Sequence, residues 1–325
     1  MDVVALGELL IDFTCLDADQ DGYPTLRAYP GGAPANFLSV LSRFGAKTAM
    51  LGKVGEDTFG RALLTTLKKN GIETSGMIVD SSVFTTLAFV TLDETGDRDF
   101  SFSRKPGADT RLTCQELNLS LIDAAKVFHF GSLPMTDEPA RSATKYAVEY
   151  AKKQGKWITY DPNLRKPLWN DLETAREQIL WGLSKADVVK ISDEEVGFLF
   201  GSDPQNGAEE ILRRFDVKLV FVTCGAGGCY YKHASASGYV PALSDIQVVD
   251  TTGAGDIFGG SVIWKLLQFG KPLEALTDIQ LRDAVSFACT AAGLSVTKPG
   301  GISSVPDYRD VLEQQSVLSE CGYFN

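Results

Sequence analysis

The chain has 325 residues, with 31 Lys and Arg against 42 Asp and Glu, which gives a formal net charge of −11 with both histidines neutral. This acidity argues against nucleic-acid binding and against a polybasic membrane anchor, because both depend on neutralising phosphates with basic side chains. The composition, 44% hydrophobic and 22% charged, is typical of a folded protein. The length predicts two domains or one large α/β domain with a small addition.

The amino-terminal residues and the cysteines bear on the compartment. The first ten residues lack a basic region and reach Glu8 too early for a signal peptide, and no apolar run approaches the roughly 20 residues that a bilayer span requires. The six cysteines are scattered without a C-x-x-C pair, which argues against a zinc site. His129 lies in an apolar run and is expected to be a packed residue rather than a base. We expect a cytoplasmic protein with reduced thiols, no membrane partner and no nucleic-acid partner.

Short apolar runs alternate with longer amphipathic segments along the chain. The predicted strands are Val3–Leu6, Ala49–Val54, Val127–Phe130, Trp157–Tyr160, Val188–Ile191 and Leu219–Thr223. The predicted helices are Ala35–Phe44, Thr58–Lys69, Ala140–Lys153, Thr174–Leu183 and Ala208–Phe215. This alternation predicts βαβ units and an α/β fold whose mostly parallel sheet is covered on both faces. Ligands bind such sheets at the edge where the parallel strands end.

Two segments interrupt this alternation. Ile11–Ala28 contains β-branched and aromatic residues without a helical period, and Thr85–Arg104 is typical of two strands joined by a turn at Glu94–Asp97. Neither segment fits a βαβ unit, so we expect them to pair into a small separate sheet. Because both are inserted into the first half of the chain, this sheet is predicted to form a lid over the main domain.

The densest motif is DTTGAGDIFGG, Asp250–Gly260, which leads into an apolar helix. The small residues Gly253, Ala254 and Gly255 allow backbone amides to converge on an anion at the helix N-terminus. An acid at Asp256, in the first helical turn, would lie within reach of that anion. Amides that stabilise a moving phosphoryl group, beside a carboxylate that accepts a hydroxyl proton, suit phosphoryl transfer. The alternative is a glycine turn in which Asp256 only complements the helix dipole.

Four other motifs each allow a structural or a functional interpretation. They are GGAPAN at Gly31–Asn36, DPNLR at Asp161–Arg165, KISDEE at Lys190–Glu195 and TCGAGG at Thr223–Gly228. The first is a glycine turn that opens a helix, and the second ends in an arginine suited to a bidentate phosphate contact. The third has the spacing of a capping box, and the fourth allows close backbone approach to a ligand. No Walker sequence G-x-x-x-x-G-K-[ST] occurs, so any ATP is held in another way.

Taken together, these motifs resemble the ribokinase-like (PfkB) family of sugar kinases, in family order from Val3 to about Pro306. The GAGD segment is the most specific of them. The segments GGAPAN, GDRDFSFSRKPGAD, FHFGS, YDPNLRKPLW and VDTTGAGD are most similar to those of the fructokinases of the family. Leu38 departs from the pattern, which usually has a small residue there. Ser192 also departs, because many members have Asn in an N-x-x-E motif.

The resemblance implies a three-layer α/β/α sandwich with a mostly parallel central sheet and a small β-sheet lid that closes over the sugar. Residues 1–315 are predicted to form one domain, with the lid inserted from about 11–30 and 85–105. A loosely held tail is predicted at 316–325. Because lid sheets carry exposed edges that can pair between subunits, we also expect a homodimer through the lids.

The resemblance implies roles for individual residues. Asp256 matches the catalytic base of the family, and Gly253, Ala254 and Gly255 match its anion hole. The sugar contacts match Asp12, Gly32, Asn36 and Arg104, and Arg165 matches a residue near the phosphates. The nucleotide site matches Ser192, Thr223, Gly225, Gly228, Cys289 and Ala292. Glu195 matches the residue that organises Mg2+ through water, and a monovalent cation, K+, would be held by Asp250, Thr252, Ser295, Lys298, Gly300 and Ser304.

The implied activity is ATP-dependent phosphorylation of fructose to fructose 6-phosphate. One alternative is a kinase of the same family acting on 2-keto-3-deoxygluconate, ribose, tagatose phosphate or a nucleoside. Another is a non-catalytic sugar- or nucleotide-binding relative, which the presence of Asp256 and its glycines disfavours. A dehydrogenase is disfavoured because GELLID, after the first strand, has no phosphate-binding glycine pattern.

Overall fold

The computed structural model describes residues 1–92 and 98–320. Its strands are β1 (Val3–Leu6), β2 (Leu10–Ala18), β3 (Pro24–Gly31), β4 (Thr48–Gly55), β5 (Ile72–Asp80), β6 (Leu87–Leu92), β7 (Arg98–Ser103), β8 (Val127–Gly131), β9 (Trp157–Asp161), β10 (Val188–Ser192), β11 (Leu219–Thr223), β12 (Cys229–His233) and β13 (Ala236–Val240). Its α-helices are α1 (Ala33–Arg43), α2 (Thr58–Lys69), α3 (Leu119–Ala124), α4 (Ala140–Lys153), α5 (Leu172–Leu183), α6 (Asp193–Phe200), α7 (Pro204–Arg214), α8 (Ala254–Phe269), α9 (Asp278–Ser295) and α10 (Tyr308–Glu320).

The main sheet has nine strands in the order β13-β12-β11-β10-β9-β8-β1-β4-β5. The seven strands from β11 to β5 in this order pair in parallel. At the other edge β12 runs antiparallel to both β11 and β13. The mostly parallel sheet predicted from the sequence is therefore confirmed. The sequence did not predict β5, β12 or β13. These strands lie at the two edges, where polar residues and glycines replace the continuous apolar runs of the central strands.

Helices cover both faces of the main sheet, as β1 shows most simply. Its residues Val3 and Ala5 pack into one hydrophobic cluster with α1, α8 and α9, and Val4 and Leu6 pack into a second cluster with α4, α5 and α7. All four side chains are fully buried. The alternation follows from the strand geometry, which points successive side chains to opposite faces. The predicted three-layer sandwich is therefore confirmed.

A separate four-stranded sheet has the order β3-β2-β6-β7. It joins the two segments that interrupt the predicted alternation, so the prediction of a small separate sheet is confirmed. Phe13 of β2 stacks on Phe89 of β6 with ring centroids 5.4 Å apart, and it meets Phe59 of α2 edge to face at 5.6 Å. These contacts attach the lid sheet to the main body. The turn predicted at Glu94–Asp97 lies within 93–97, outside the described residues.

The last helix, α10, includes the first residues of the predicted tail. Helix α10 continues to Glu320, and the tail predicted at 316–325 begins within it. The buried Val311 anchors this helix, and the Ser316 hydroxyl donates to the Leu312 carbonyl at 3.0 Å, one helical turn earlier. Good helix formers and one apolar anchor therefore stabilise this helix. None of the described helices is long and apolar enough to span a bilayer.

Candidate active site

Three predicted motifs meet at one edge of the main sheet because their strands are parallel neighbours. Asp161, Ser192 and Thr223 are the last residues of β9, β10 and β11. Ser192 pairs in register with Thr223, and β9 pairs with β10. The carboxyl ends of these strands therefore bring DPNLR, KISDEE and TCGAGG together, at the edge where open α/β sheets bind ligands.

The glycine-rich turn before α8 depends on the absence of side chains. Gly253 has a φ of +78°, and a Cβ there would lie 2.9 Å from the Cα of Gly301. A Cβ on Gly255 would lie 2.9 Å from the Nζ of Lys190. Asp256 follows in the first turn of α8. The glycine turn and the start of α8 therefore lie next to Lys190 of β10.

Asp256 is held by a residue from the other end of the chain. The Nδ2 of Asn36, in α1, donates to its Oδ2 at 2.9 Å. Burial raises the pKa of Asp256, while the hydrogen bond from Asn36 and the charges of Lys190 and Arg165 act to lower it. The nearby Glu195 acts to raise it. A carboxylate with a raised pKa accepts a proton more readily near neutral pH.

Lys190 and Asp161 form a buried ion pair that the sequence analysis did not assign to the site. Their Nζ and Oδ2 atoms lie 3.0 Å apart, with side-chain exposures of 13% and 7%. Burial raises the pKa of Asp161 to about 7, against the effect of Lys190. Within the described residues, Oδ1 of Asp161 has no hydrogen-bond partner. The signal in the sequence was a charged residue within one mostly buried strand, VVKIS, and another at the end of its neighbour, WITYD.

Glu195 joins two of the motifs through its carboxylate. Its Oε2 accepts the Ser192 amide at 2.8 Å, and the Ser192 hydroxyl accepts the Glu195 amide at 3.2 Å, which completes the predicted capping box. Its Oε1 accepts the Leu164 amide at 2.7 Å, within DPNLR. The capping interpretation of Ser192 is therefore confirmed. The same carboxylate also fixes the loop that carries Arg165.

The start of α1 lies against the base of the lid. Gly32 precedes α1 with a φ of +113°, and a Cβ there would collide with the carbonyl oxygen of Glu8. The Oε1 of Glu8 accepts the Ala33 amide at 2.8 Å and so caps the helix from another part of the chain. A Cβ on Gly31 would collide with the carboxylate of Asp12 in β2. The predicted sugar contacts Asp12 and Gly32 therefore adjoin one turn, and Asn36 follows in the first turns of α1.

Arg104, the fourth predicted sugar contact, lies in a buried polar network. Its Nε donates to Asp109 at 2.8 Å, Nη1 to Thr136 at 2.7 Å, and Nη2 to the Leu133 carbonyl at 3.0 Å. Its side chain is 2% exposed. The structure thus joins Arg104 to the body of the protein below the lid.

His129, predicted to be packed, is 5% exposed and stacks on Phe37 with ring centroids 3.7 Å apart.

The residues predicted to hold the nucleotide lie around the turn after β11. Gly225 and Gly228 both have positive φ, and a Cβ on Gly228 would collide with the Val240 carbonyl. Cys229 of β12 and Cys289 of α9 belong to one hydrophobic core, against which Ala292 of α9 packs. Burial raises the pKa of the Cys229 thiol. Thr223, Gly225 and Gly228 therefore lie at one turn, and α9 packs against the β12–β13 hairpin that follows it.

The residues predicted to hold a monovalent cation belong to two loops joined by Asp250. Its Oδ1 accepts the amide and the hydroxyl of Thr252 at 2.9 and 2.7 Å, and its Oδ2 accepts the Gly300 amide at 2.8 Å. The hydroxyl of Ser295 donates to a carbonyl at the end of α9, and that of Ser304 donates to the Gly301 carbonyl. The Lys298 amide donates to the Ser295 carbonyl at 3.2 Å. The predicted set therefore lies on adjoining turns.

Comparison with known proteins identifies the family of the chain. The model of the pfkB family carbohydrate kinases matches residues 1–308. Fructokinase-1 of Zea mays is 42% identical over 314 residues, which cover 96% of each chain. The crystal structure of a fructokinase with bound ATP from Xylella fastidiosa is 31% identical, with a TM-score of 0.89 over 99% of both chains. A fructokinase from Vibrio cholerae, solved in a form with fructose, ADP and calcium ion bound, is 29% identical, with a TM-score of 0.84 over 96% of this chain and 98% of that one.

The fold is that of an α/β protein with a candidate ligand site at one edge of its sheet, and the comparisons give its family. The chain belongs to the pfkB family and is a carbohydrate kinase. The family assignment and the enzyme class drawn from the sequence motifs are therefore confirmed.

Proposed function

We propose that the protein transfers the γ-phosphoryl group of ATP to the primary hydroxyl of fructose and releases fructose 6-phosphate and ADP. The observation that carries this proposal is Asp256, held by Asn36 directly after the glycine turn and beside the buried Lys190. The fructokinase names of the relatives support fructose as the acceptor, and the ATP and ADP in the solved structures support the donor.

In this mechanism Asp256 is the general base. Because Asn36 donates to Oδ2, we assign Oδ1 the proton of the sugar hydroxyl. The hydroxyl oxygen forms a bond to the γ-phosphorus as the bond from phosphorus to the bridging oxygen breaks, and ADP leaves with that electron pair. The amides of Gly253, Ala254 and Gly255 stabilise the charge on the transferred oxygens.

Sugar binding is assigned to the turn at the base of the lid. Asp12, Gly32 and Asn36 supply a carboxylate, a close backbone approach and an amide side chain, which suit the hydroxyls of a sugar. Closure of the lid sheet over this turn would exclude water, which would otherwise compete for the phosphoryl group. Arg165 is assigned to the phosphates, and the turn after β11 to the nucleotide.

The carboxylates at this edge fit a magnesium ion that arrives with the nucleotide. Among the described residues no group of three or more His, Cys, Asp or Glu side chains forms a metal cage, and Mg2+ is usually bound by one or two carboxylates with water and phosphates. Asp161, whose Oδ1 has no partner among the described residues, and Glu195 would hold such an ion through water. When bound, Mg2+ neutralises charge on the phosphates.

A potassium ion is proposed for the two loops that Asp250 joins. Backbone carbonyls and the hydroxyls of Thr252, Ser295 and Ser304 suit a large monovalent cation, and the site adjoins the glycine turn before α8. Turnover in potassium chloride should exceed turnover in tetramethylammonium chloride of equal ionic strength. Equal rates in the two salts would reject this part of the proposal.

Removing the base tests the mechanism. Asp256→Asn should lower kcat by about 10²–10⁴-fold, the usual contribution of a general base, while the thermal unfolding transition stays near that of the parent. Asp310→Asn is the matched control, because Asp310 is an exposed aspartate in the first turn of α10. Turnover of Asp256→Asn within tenfold of the parent would show that Asp256 is not the base.

Turnover measured over a panel of sugars tests the identity of the acceptor. A preference for ribose or a keto-acid would show that fructose is not the acceptor.

The lid is also proposed to mediate a homodimer. Strand β3 is an edge strand of the lid sheet, and exposed strand edges can pair between subunits. Leu16 and Tyr23, at the outer end of the β2–β3 hairpin, are 58% and 72% exposed. Sedimentation at micromolar concentration should give the dimer mass, and Leu16→Lys should shift it toward the monomer. A monomer mass for the parent protein would reject the dimer.

The cytoplasmic location stays a prediction of the sequence alone.

A further inference from the structure

The lid hairpin of β6 and β7 leaves and rejoins the body at two residues bound to the same carboxylate. Thr86 directly precedes β6, and Arg104 directly follows β7. The hydroxyl of Thr86 donates to Oδ1 of Asp109, and Nε and Nη2 of Arg104 donate to Oδ2 at 2.8 and 2.7 Å. All three residues are at most 4% exposed. One buried aspartate therefore joins both ends of the hairpin.

The same network is tied to the body of the protein. Arg104 also donates to the Thr136 hydroxyl and to the Leu133 carbonyl, after β8. A Cβ on Gly107 would collide with the Thr86 hydroxyl and lie 2.9 Å from Oδ1 of Asp109. The turn between Arg104 and Asp109 thus leaves just enough room for the network. Hydrogen bonds that are fully buried and include charged partners are among the stronger ones in proteins.

The network also adjoins the turn assigned to the sugar. Strand β6, which Thr86 precedes, pairs with β2 so that Ala88 lies opposite Asp12, and the carboxylate of Asp12 abuts Gly31 in the turn before α1. The carboxylate of Glu8 accepts the Ala33 amide at the start of α1. A change in the network would therefore reach both the lid and the turn that carries Gly32.

We propose that Asp109 is a positioning residue for the sugar site: it holds both ends of the lid hairpin in one orientation relative to the body. Asp109 acts through Thr86 and Arg104, without contact with the substrate. This inference rests on the proposed function, in which the lid closes on fructose. It also gives Arg104 a role that does not require the guanidinium to reach the sugar.

Two variants test the network, one at Thr86 and one at Asp109. Thr86→Val keeps the side-chain shape and removes the hydroxyl, and Asp109→Asn removes the negative charge that pairs with the Arg104 guanidinium. Asp216→Asn is the control, because Asp216 is an exposed aspartate paired with Lys218. The measurements are the KM values for fructose and ATP, kcat, and hydrogen exchange of peptides covering β6 and β7.

Thr86→Val should raise the KM for fructose about fivefold, as expected for the loss of one buried hydrogen bond, and Asp109→Asn should raise it further. The KM for ATP should stay within twofold, and exchange should increase in β6 and β7 but not in the main sheet. An unchanged KM for fructose in folded Thr86→Val would overturn the inference, even if Asp109→Asn fails to fold. Absence of fructose turnover in the parent enzyme would instead reject the proposed function.

Discussion

The side-chain amide of Asn36 lies 2.9 Å from Oδ2 of Asp256, across 220 residues of sequence. The contact joins the first turns of α1 and α8, which both begin after a glycine with positive φ. It links the turn assigned to the sugar with the carboxylate assigned to the proton. The relative placement of acceptor and base therefore depends on how these two helices pack.

Asn36→Ala removes the hydrogen bond that favours the charged form of Asp256. The pKa of Asp256 should rise, and because a base must be deprotonated to act, the acidic limb of the kcat/KM profile should move to higher pH. The rate at neutral pH should fall roughly tenfold. Asn206→Ala is the control, since Asn206 donates to Asp203 on an exposed helix start. An acidic limb at the parent position would contradict the assignment.

Lys190→Met removes the buried cation at the site. Asp161 and Asp256 then lose a neighbouring positive charge, so the pKa of each should rise. Loss of one partner of a buried ion pair destabilises a protein by about 3–5 kcal/mol, which a urea titration would measure. Lys218→Met, at an exposed pair with Asp216, should change stability by less than about 1 kcal/mol.

The double variant Lys190→Met with Asp161→Asn separates stability from activity. Removing both charges should recover part of the lost free energy of unfolding, because no unpaired charge stays buried. We expect Lys190→Met to lower kcat, and kcat should stay low in the double variant, because the cation next to the glycine turn and the Asp161 carboxylate proposed for Mg2+ are both missing. Recovery of both quantities together would show that Lys190 contributes to stability alone.

Gly253→Ala tests the glycine turn. Gly253 and Gly270 both adopt left-handed φ, at the beginning and the end of α8, so alanine costs about 1–2 kcal/mol of backbone strain at either position. Only at Gly253 would the new Cβ also approach other atoms closely, whereas it meets nothing within 4 Å at Gly270. We expect kcat to fall at least tenfold in Gly253→Ala and to stay near the parent value in Gly270→Ala. Equal losses in the two variants would point to strain alone.

Glu8→Gln tests the buried carboxyl at the start of α1. Burial raises the pKa of Glu8 to about 7, above its unfolded value of 4.5, so the folded state binds more protons between these values and its stability falls as pH rises through this window. The neutral glutamine escapes this loss. The variant should match the parent near pH 5 and be more stable at pH 8, by up to about 3 kcal/mol. Urea titrations at both pH values measure the difference, and Glu56→Gln, at an exposed position, is the control.

The central strands could be predicted from the sequence because each is a short, continuous apolar run. Val127–Phe130 and Leu219–Thr223 need no tertiary information, since burial on both faces sets their composition. Strand β13, ASGYV, could not be predicted in this way, because an edge strand is half exposed and here contains glycine and serine. The register of its hairpin with β12 follows from pairing, which the local pattern does not encode.

Motifs with fixed local geometry were the predictable part of the candidate site. GAGD and GGAPAN carry their conformation in adjacent residues, so both turns were expected before the helices they open. The ion pair between Lys190 and Asp161 could not be predicted, because it depends on β9 and β10 becoming neighbours in the sheet. The contacts of the Arg104 side chain could not be predicted either. They depend on Asp109 and Thr136, which only the folded chain brings together.

The charged side chains near the carboxyl ends of β9 and β10 influence which form of ATP, free or bound to magnesium, the site accepts. Three carboxylates, Asp161, Glu195 and Asp256, act on one another electrostatically, and Lys190 and Arg165 are the cations that act on Asp256. With all five ionised, this group carries one net negative charge. Nucleotide without a metal brings a more negative triphosphate into that field than its magnesium complex does. We therefore expect free ATP to be a poor competitor of the complex, with discrimination that weakens as salt is added.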